Sequence, residues 1–374
     1  MNVIFTCGGT AGHINPAIAV ANIVKERHPD SRILFVGAKG HMEEKLVPKA
    51  GFELKCIPVS GFSRSISLKG LKSNVQGVRK VLAGLKECKK IIREFKPDII
   101  VGTGGYASFP AVYVGSGMGI PTCVHESNAV PGLTTKMLES RVDRMMVAFA
   151  DSADHYKHPE KVEVLGMPVQ KAFVELSRED ARRMLKLDET PLVVSAFGSL
   201  GARDMNRVVA RMFRLEQDKG FPFRHIHATG SNGWQWMPQL VKEQGVELEN
   251  CPAIDMREYI YDMPVLMAAA DVIISRAGAS SCNEIAAVGT PCILIPSPNV
   301  TNNHQEKNAR ILADRGAATL LPEPECTAER LLAEVETLLF DSQKSGSMRK
   351  ALGEMAVPDS ALRICRIMEE LTGM

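Results

Sequence analysis

Val3-Ile4-Phe5-Thr6-Cys7 runs directly into Gly8-Gly9-Thr10-Ala11-Gly12-His13, and a helical period follows from about Pro16. A short apolar run bounded by glycines reads as a strand buried on both faces. Asn15 is placed to cap the helix, with Pro16 at its first position. The same order recurs about 190 residues later. There Leu192-Val193-Val194-Ser195-Ala196-Phe197 enters Gly198-Ser199-Leu200-Gly201-Ala202, with a helix from about Arg203. A helix N-terminus carries unpaired N–H groups and a partial positive charge, and glycines let a phosphate come close to them. Two such turns predict an α/β chain with twin nucleotide-type domains, each a doubly wound parallel sheet, facing one ligand.

At 374 residues, two domains are the expectation, and 45% hydrophobic with 24% charged residues is the composition of a soluble protein. Aromatics at 5% are too few for a base-stacking platform, so nucleic acid is not expected as a partner. No window reaches the roughly 18 apolar residues of a spanning helix. The chain opens in a strand, without the charged and apolar regions of a signal peptide. The nine cysteines are scattered and lack C-x-x-C, which predicts reduced thiols in a cytosolic protein. Net charge is +2, yet residues 1–165 hold 22 Lys and Arg against 15 Asp and Glu. The excess concentrates in 64–96, where ten basic residues meet only Glu87 and Glu94, so an anionic surface is expected as partner.

Apolar runs at 32–36, 98–102, 121–124 and 144–147 predict further strands of the first sheet. Runs at 192–197, 224–228, 271–275 and 292–296 predict the second. Helical periods lie between them, which implies parallel sheets covered on both faces. The pattern breaks at Gly166-Met167-Pro168, giving expected domains of 1–165 and 166–357, and the tail after Pro358 reads as a helix.

The first turn does not fit G-x-G-x-x-G, and Val36-Gly37-Ala38 offers no acid for a ribose, so a dinucleotide enzyme is not expected. No lysine follows as in a P-loop. His13 sits at the mouth of the turn, suited to act as a general base near neutral pH. Gly102-Thr103-Gly104-Gly105-Tyr106-Ala107-Ser108 and His125-Glu126-Ser127-Asn128 follow other strands, at the carboxyl edge where open α/β sheets bind ligands. In the second half, Ser275-Arg276-Ala277-Gly278-Ala279-Ser280-Ser281-Cys282-Asn283-Glu284 opens a helix whose small residues permit close approach of a phosphate. Glu284, one turn in, is placed to accept from ribose hydroxyls, and Asn302-Asn303-His304-Gln305 to reach a sugar. No metal is expected, because no carboxylate or histidine cluster has ligand spacing.

Taken in order, the motifs at 8–13, 104–106, 125–129, 166–169, 198–202 and 276–284 resemble those of the bacterial peptidoglycan N-acetylglucosaminyltransferases that convert lipid I to lipid II. The resemblance covers essentially the whole chain. It implies the GT-B fold, UDP-N-acetylglucosamine as donor, undecaprenyl-linked lipid I as acceptor, inversion at the anomeric carbon, and neither metal nor cofactor. Carried onto this sequence, it implies that Thr10, Ala11, Gly12 and Asn128 border the transferred sugar. Ser199 and the helix start from Ala279 through Ser280, Ser281 and Cys282 to Asn283 would hold the diphosphate. Glu284 would bind ribose, Ile260 flank uracil and Gln305 contact the sugar. Gly104, Gly105, Tyr106 and His125 would lie on the acceptor side. Three positions depart from the family pattern: Gln170 replaces a common Arg at the donor phosphates, Leu200 a common Gln, and Phe109 a common Gly.

Without a metal, helix N-termini must stabilise the departing diphosphate, and a base must take the acceptor hydroxyl's proton, worth about 10²–10⁴-fold. His13 is the first candidate and Glu126 the second. A lipid-linked acceptor further implies a peripheral position on the cytoplasmic face of the cell membrane. Ile66, Leu68 and Leu71 interleave with Lys69, Lys72, Arg79 and Lys80 as the docking stretch on an anionic inner leaflet. A UDP-N-acetylglucosamine 2-epimerase would share fold and donor. Such an isomerase needs no lipid-facing surface, which argues for the transferase.

Overall fold

The computed structural model describes residues 1–59, 68–300 and 303–374, with side chains between 68 and 78 also outside the description. The chain forms two units, Met1–Gln170 with Val357–Met374, and Lys171–Ala356.

The first unit carries seven parallel strands: β1 (Asn2–Thr6), β2 (Arg32–Ala38), β3 (Glu53–Ile57), β4 (Ile99–Gly102), β5 (Thr122–Glu126), β6 (Arg144–Val147) and β7 (Val162–Val164). Their order is β3-β2-β1-β4-β5-β6-β7. Its helices are α1 (Ala11–Arg27), α2 (Glu43–Lys49), α3 (Leu68–Phe95), α4 (Ser108–Gly117) and α5 (Leu133–Leu138). Side chains of β1 alternate between two cores. Val3 and Phe5 join α1, and Ile4 joins Ile91 and Ile92 of α3 and Val112 of α4. Burial on both faces is why this strand reads as a continuous apolar run. The turn after β1 is shorter than the sequence predicts. The helix begins at Ala11 with Thr10 as N-cap, so Asn15 is no cap and Pro16 lies inside the helix.

The second unit repeats the arrangement with six parallel strands in the order β10-β9-β8-β11-β12-β13. They are β8 (Leu192–Ala196), β9 (Arg224–Ala228), β10 (Ile254–Arg257), β11 (Val272–Ser275), β12 (Cys292–Leu294) and β13 (Thr319–Leu320). Its helices are α6 (Ala172–Glu175), α7 (Arg178–Met184), α8 (Arg203–Asp218), α9 (Ser231–Trp234), α10 (Met237–Glu243), α11 (Met263–Ala269), α12 (Ala279–Val288), α13 (His304–Asp314), α14 (Ala328–Phe340) and α15 (Ser342–Met355).

The last helix, α16 (Ser360–Thr372), belongs to the first unit. Ile364, Ile367 and Met368, at helical spacing, pack in the same core as α1. Arg27 of α1 grips Glu369 through Nε and Nη2 at 2.8 and 3.0 Å, and His28 Nε2 lies 2.8 Å from the same carboxylate. Among the described residues no helix is long and apolar enough to cross a membrane.

Candidate functional site

In each sheet the strand order reverses at one place, between β1 and β4 and between β8 and β11. Connections there leave to opposite faces and open a crevice at the strand carboxyl ends, where such sheets bind ligands. The glycine motifs lie on these two crevices.

In the first unit, the turn after β1 and the turn after β4 are tied through His13. Its Nδ1 lies 3.1 Å from the Thr103 carbonyl, and Thr103 Oγ1 donates to the His13 carbonyl at 2.6 Å. A carbonyl only accepts, so Nδ1 carries the proton and Nε2 keeps its lone pair. The ring lies flush on Gly104: a Cβ there would sit 2.7 Å from Nδ1, and φ is +97°. Burial lowers the pKa of His13 and keeps it neutral; the Glu126 and Glu43 carboxylates oppose that shift. A neutral imidazole with one fixed tautomer and a bare Nε2 is the form a general base requires.

Glu126 is differently placed. Its Oε1 accepts from the N–H and Nδ2 of Asn128 at 2.9 and 3.1 Å. Its Oε2 accepts from the Gly132 N–H at 2.9 Å and Thr135 Oγ1 at 2.7 Å. Four donors saturate the carboxylate, which organises the 126–135 loop and orients Asn128. His125 is fully buried, and its Nε2 donates to the Gly166 carbonyl at 2.8 Å. That ring ties β5 to the 165–167 segment and stands back from the open edge; burial lowers its pKa. Thr10 is exposed, and Ala11 and Gly12 form the half-buried first turn of α1. Gly105 and Tyr106 are half-exposed, with Tyr106 Oη 2.9 Å from His41 Nε2.

In the second unit, Gly198 and Gly201 take φ of +90° and +75°, and the turn closes through Gly201 N–H to the Gly198 carbonyl at 3.0 Å. Ser199 and Leu200 stand exposed on it, and their carbonyls accept from Ser231 and Asn232 N–H at 3.2 Å. Across the crevice, Gly278 caps α12 in extended conformation. The helix start is narrower than the sequence suggests. Cys282 N–H already donates to the Gly278 carbonyl, and its side chain is in the core, the thiol pushed up to about 12 by burial. Asn283 Nδ2 turns back to the Ala279 carbonyl at 2.8 Å. Ala279, Ser280 and Ser281 remain half-buried at the helix opening. Glu284 follows one turn in, half-buried, its pKa pushed up to about 7 by burial. Gln305 Oε1 accepts from Ser297 N–H at 2.8 Å, which leaves its Nε2 to donate elsewhere. The Ile260 side chain is in the interior, while the flanking Tyr259 and Tyr261 rings, 4.8 Å apart, are exposed. Gln170 is exposed at the end of the first unit's first segment.

Sequence reasoning did not single out Glu43, His41 or Thr103 as functional residues. Thr103 lay within a quoted motif; Glu43 and His41 lie in an ordinary polar stretch and carry no signal of spacing. Of the docking stretch, Ile66 and the side chains of Leu68, Lys69, Leu71 and Lys72 lie outside the described residues, as does Asn302. Arg79, Lys80 and Leu82 are exposed on α3. Among the described residues, His28, Cys365 and Glu369 bring ligand-type atoms within 4.8 Å of one another. Arg27 already occupies that carboxylate.

Two Rossmann-like units with a glycine turn at each reversal are a GT-B-type build. The chain belongs to glycosyltransferase family 28: its N-terminal domain matches residues 3–147 and its C-terminal domain 192–364. A UDP-N-acetylglucosamine–N-acetylmuramyl-(pentapeptide) pyrophosphoryl-undecaprenol N-acetylglucosamine transferase of Acetivibrio thermocellus is 41% identical over 99% of this chain and 98% of its own length. The crystal structure of Acinetobacter baumannii MurG superposes with a TM-score of 0.74 at 23% identity, covering 99% of this chain and 100% of that one. A putative UDP-N-acetylglucosamine 2-epimerase from Listeria monocytogenes shares the fold, with a TM-score of 0.70 at 13% identity over 100% of this chain and 97% of that one. Fold alone therefore does not separate transfer from epimerisation; the full-length relative does.

Proposed function

We propose that this protein transfers N-acetylglucosamine from UDP-N-acetylglucosamine to undecaprenyl-linked lipid I with inversion, making lipid II at the cytoplasmic face of the membrane. The single observation that carries the chemistry is the imidazole of His13, fixed by Thr103 with Nε2 unprotonated at the reversal of the first sheet.

In this reading the diphosphate lies on the opening of α12 at Ala279–Ser281, with Ser199 on the facing turn. Glu284 accepts from the ribose hydroxyls, and Gln305 Nε2 donates to the sugar. The acceptor hydroxyl attacks the anomeric carbon from the face opposite UDP. Its proton passes to His13 Nε2 as the new C–O bond forms, and the bond to UDP breaks with its electron pair leaving on the diphosphate. Helix N-terminal N–H groups meet that charge without a metal. Asn128, oriented by Glu126, and Thr10 to Gly12 border the transferred sugar, and Gly104 to Tyr106 the acceptor. Replacing His13 by Ala is expected to lower kcat by about 10²-fold or more with UDP affinity little changed. Wild-type turnover in a folded H13A protein would remove His13 from the role.

A further inference from the structure

Behind the first glycine turn lies a buried carboxylate. Glu43 is the first residue of α2 and is completely buried. Its Oε1 accepts two backbone N–H bonds, from Gly9 and from Ala38, each at 3.1 Å. Gly9 belongs to the turn that leads into His13, and Ala38 ends the neighbouring strand β2. The side chain occupies room that two glycines leave open. A Cβ on Gly8 would lie 2.6 Å from Glu43 Oε1, and one on Gly37 2.6 Å from its Cγ. Gly37 therefore leaves room for the carboxylate side chain, and Gly8 for both the carboxylate and the Ala107 methyl, which lies nearer still. Gly105 in turn backs onto the Gly8 carbonyl, so the two turns of the crevice stack on this one group.

Oε2 of Glu43 makes no hydrogen bond among the described residues. A buried carboxylate with one oxygen unpaired is a poor way to gain stability, since an apolar side chain of similar size does as well or better. Two backbone bonds aimed at one oxygen, by contrast, fix the path of a turn. Around Glu43 stand Cys7, Cys56 and Tyr106, whose protons are retained by burial first and by nearby charge second, that of Glu43 and, ahead of it at Cys56, that of Glu44. The ring of His13 feels the charge of Glu43, that of Glu126 and the neighbouring His125.

We propose that Glu43 is a positioning residue for the transfer, its carboxylate holding the 8–13 turn in the shape that presents His13 to the acceptor hydroxyl. The proposal rests on the reading of His13 as the base, and it assigns Glu43 two separable effects. Its oxygen sets geometry, and its charge supports the protonated imidazole that forms during transfer.

The test is kcat, kcat/KM against pH and melting temperature for E43A and the near-isosteric E43Q, with H13A measured beside them and UDP binding as a control on folding. E43A is expected to lose at least about tenfold in kcat with UDP affinity within about twofold. E43Q, keeping the acceptor oxygen, is expected to melt at or above the wild-type temperature. Its acidic limb of kcat/KM is expected at lower pH than in the wild type, because removing a nearby negative charge lowers the pKa of the base. A merely structural Glu43 would change melting and leave that limb in place. If E43A fails to fold, E43Q alone decides through its pH limb. Wild-type kcat in E43A, or an unmoved limb in E43Q, with H13A inactive, overturns the proposal and leaves the base standing. An active H13A beside a slow E43A instead removes His13 as base.

Discussion

The proposed ribose contact at Glu284 ties recognition to burial. Its carboxyl is half-buried, one turn into α12, and burial alone pushes its pKa up to about 7. The ionised form accepts from two hydroxyls, whereas the acid gives up one of those positions to its own proton. With Glu284 at the ribose as proposed, binding of UDP favours the ionised form and releases a proton from the acid. Calorimetry is expected to show UDP affinity rising from about pH 6 to about pH 8 in the wild type, with little pH dependence in E284Q. Equal slopes in the two proteins would remove Glu284 from the ribose. The place of Glu284 one turn into a helix was legible in the sequence because it follows a run of small residues at a helix start. Glu43 was not legible, since nothing in His41-Met42-Glu43-Glu44 announces that the backbone of two distant strand ends will converge on one oxygen. Cys282 is the reverse case. In the sequence it stands in a run of small residues at a helix start, but helical geometry turns every third or fourth side chain into the core.

At the scale of elements, the central strands were legible and the edges were not. β1, β2, β4, β5, β6, β8, β9, β11 and β12 are buried runs, and each was readable as such. β3, β7, β10 and β13 are the four edges of the two sheets. Glu53-Leu54-Lys55-Cys56-Ile57 and Val162-Glu163-Val164 mix charge into the strand because an edge needs cover on fewer sides. Beneath the second unit's turn lies a feature that no periodicity revealed. His225 and His227, two apart on β9, both reach Ser195 Oγ on β8 at 2.7 Å, and His225 Nδ1 donates to Glu216 at 2.8 Å. All four side chains are buried. If Nδ1–H of His225 serves Glu216, the Ser195 hydroxyl donates to His225 Nε2 and accepts from His227 Nδ1. Burial holds His227 well below its ordinary value of 6.5. A depressed histidine contributes stability that is present above the unfolded value and lost as pH falls through it, because unfolding lets the ring take up a proton. Denaturation is expected to show stability flat above about pH 7 and falling below about pH 6.5. S195A, which strands two ring nitrogens, is expected to be less stable by about 1–3 kcal/mol at neutral pH. An S195A protein as stable as wild type would mean that the network contributes nothing.

For the whole molecule, the charge asymmetry matters more than the net +2. The ten basic residues of 64–96 share their stretch with the interleaved apolar positions of α3, whose buried side chains Cys88, Ile91, Ile92 and Phe95 account for its C-terminal half. That half packs on its own sheet, while Arg79, Lys80 and Leu82 are exposed and available to the proposed docking on an anionic surface. Each basic residue near an anionic surface adds about 1 kcal/mol, an attraction that salt screens. Replacing Lys69, Lys72, Arg79 and Lys80 by Glu is expected to abolish sedimentation with anionic vesicles while UDP binding persists. Equal sedimentation would place docking elsewhere. The proposed function divides one displacement between two similar sheets, the second unit holding a leaving diphosphate and the first supplying a base. Its most direct test follows labelled N-acetylglucosamine from UDP-N-acetylglucosamine onto a soluble lipid I analogue and reads the anomeric configuration of the product by NMR. Label is expected in the acceptor with inverted configuration and with UDP released in equal amount. Retained configuration, or an epimerised UDP-sugar with no labelled acceptor, would contradict the proposed function.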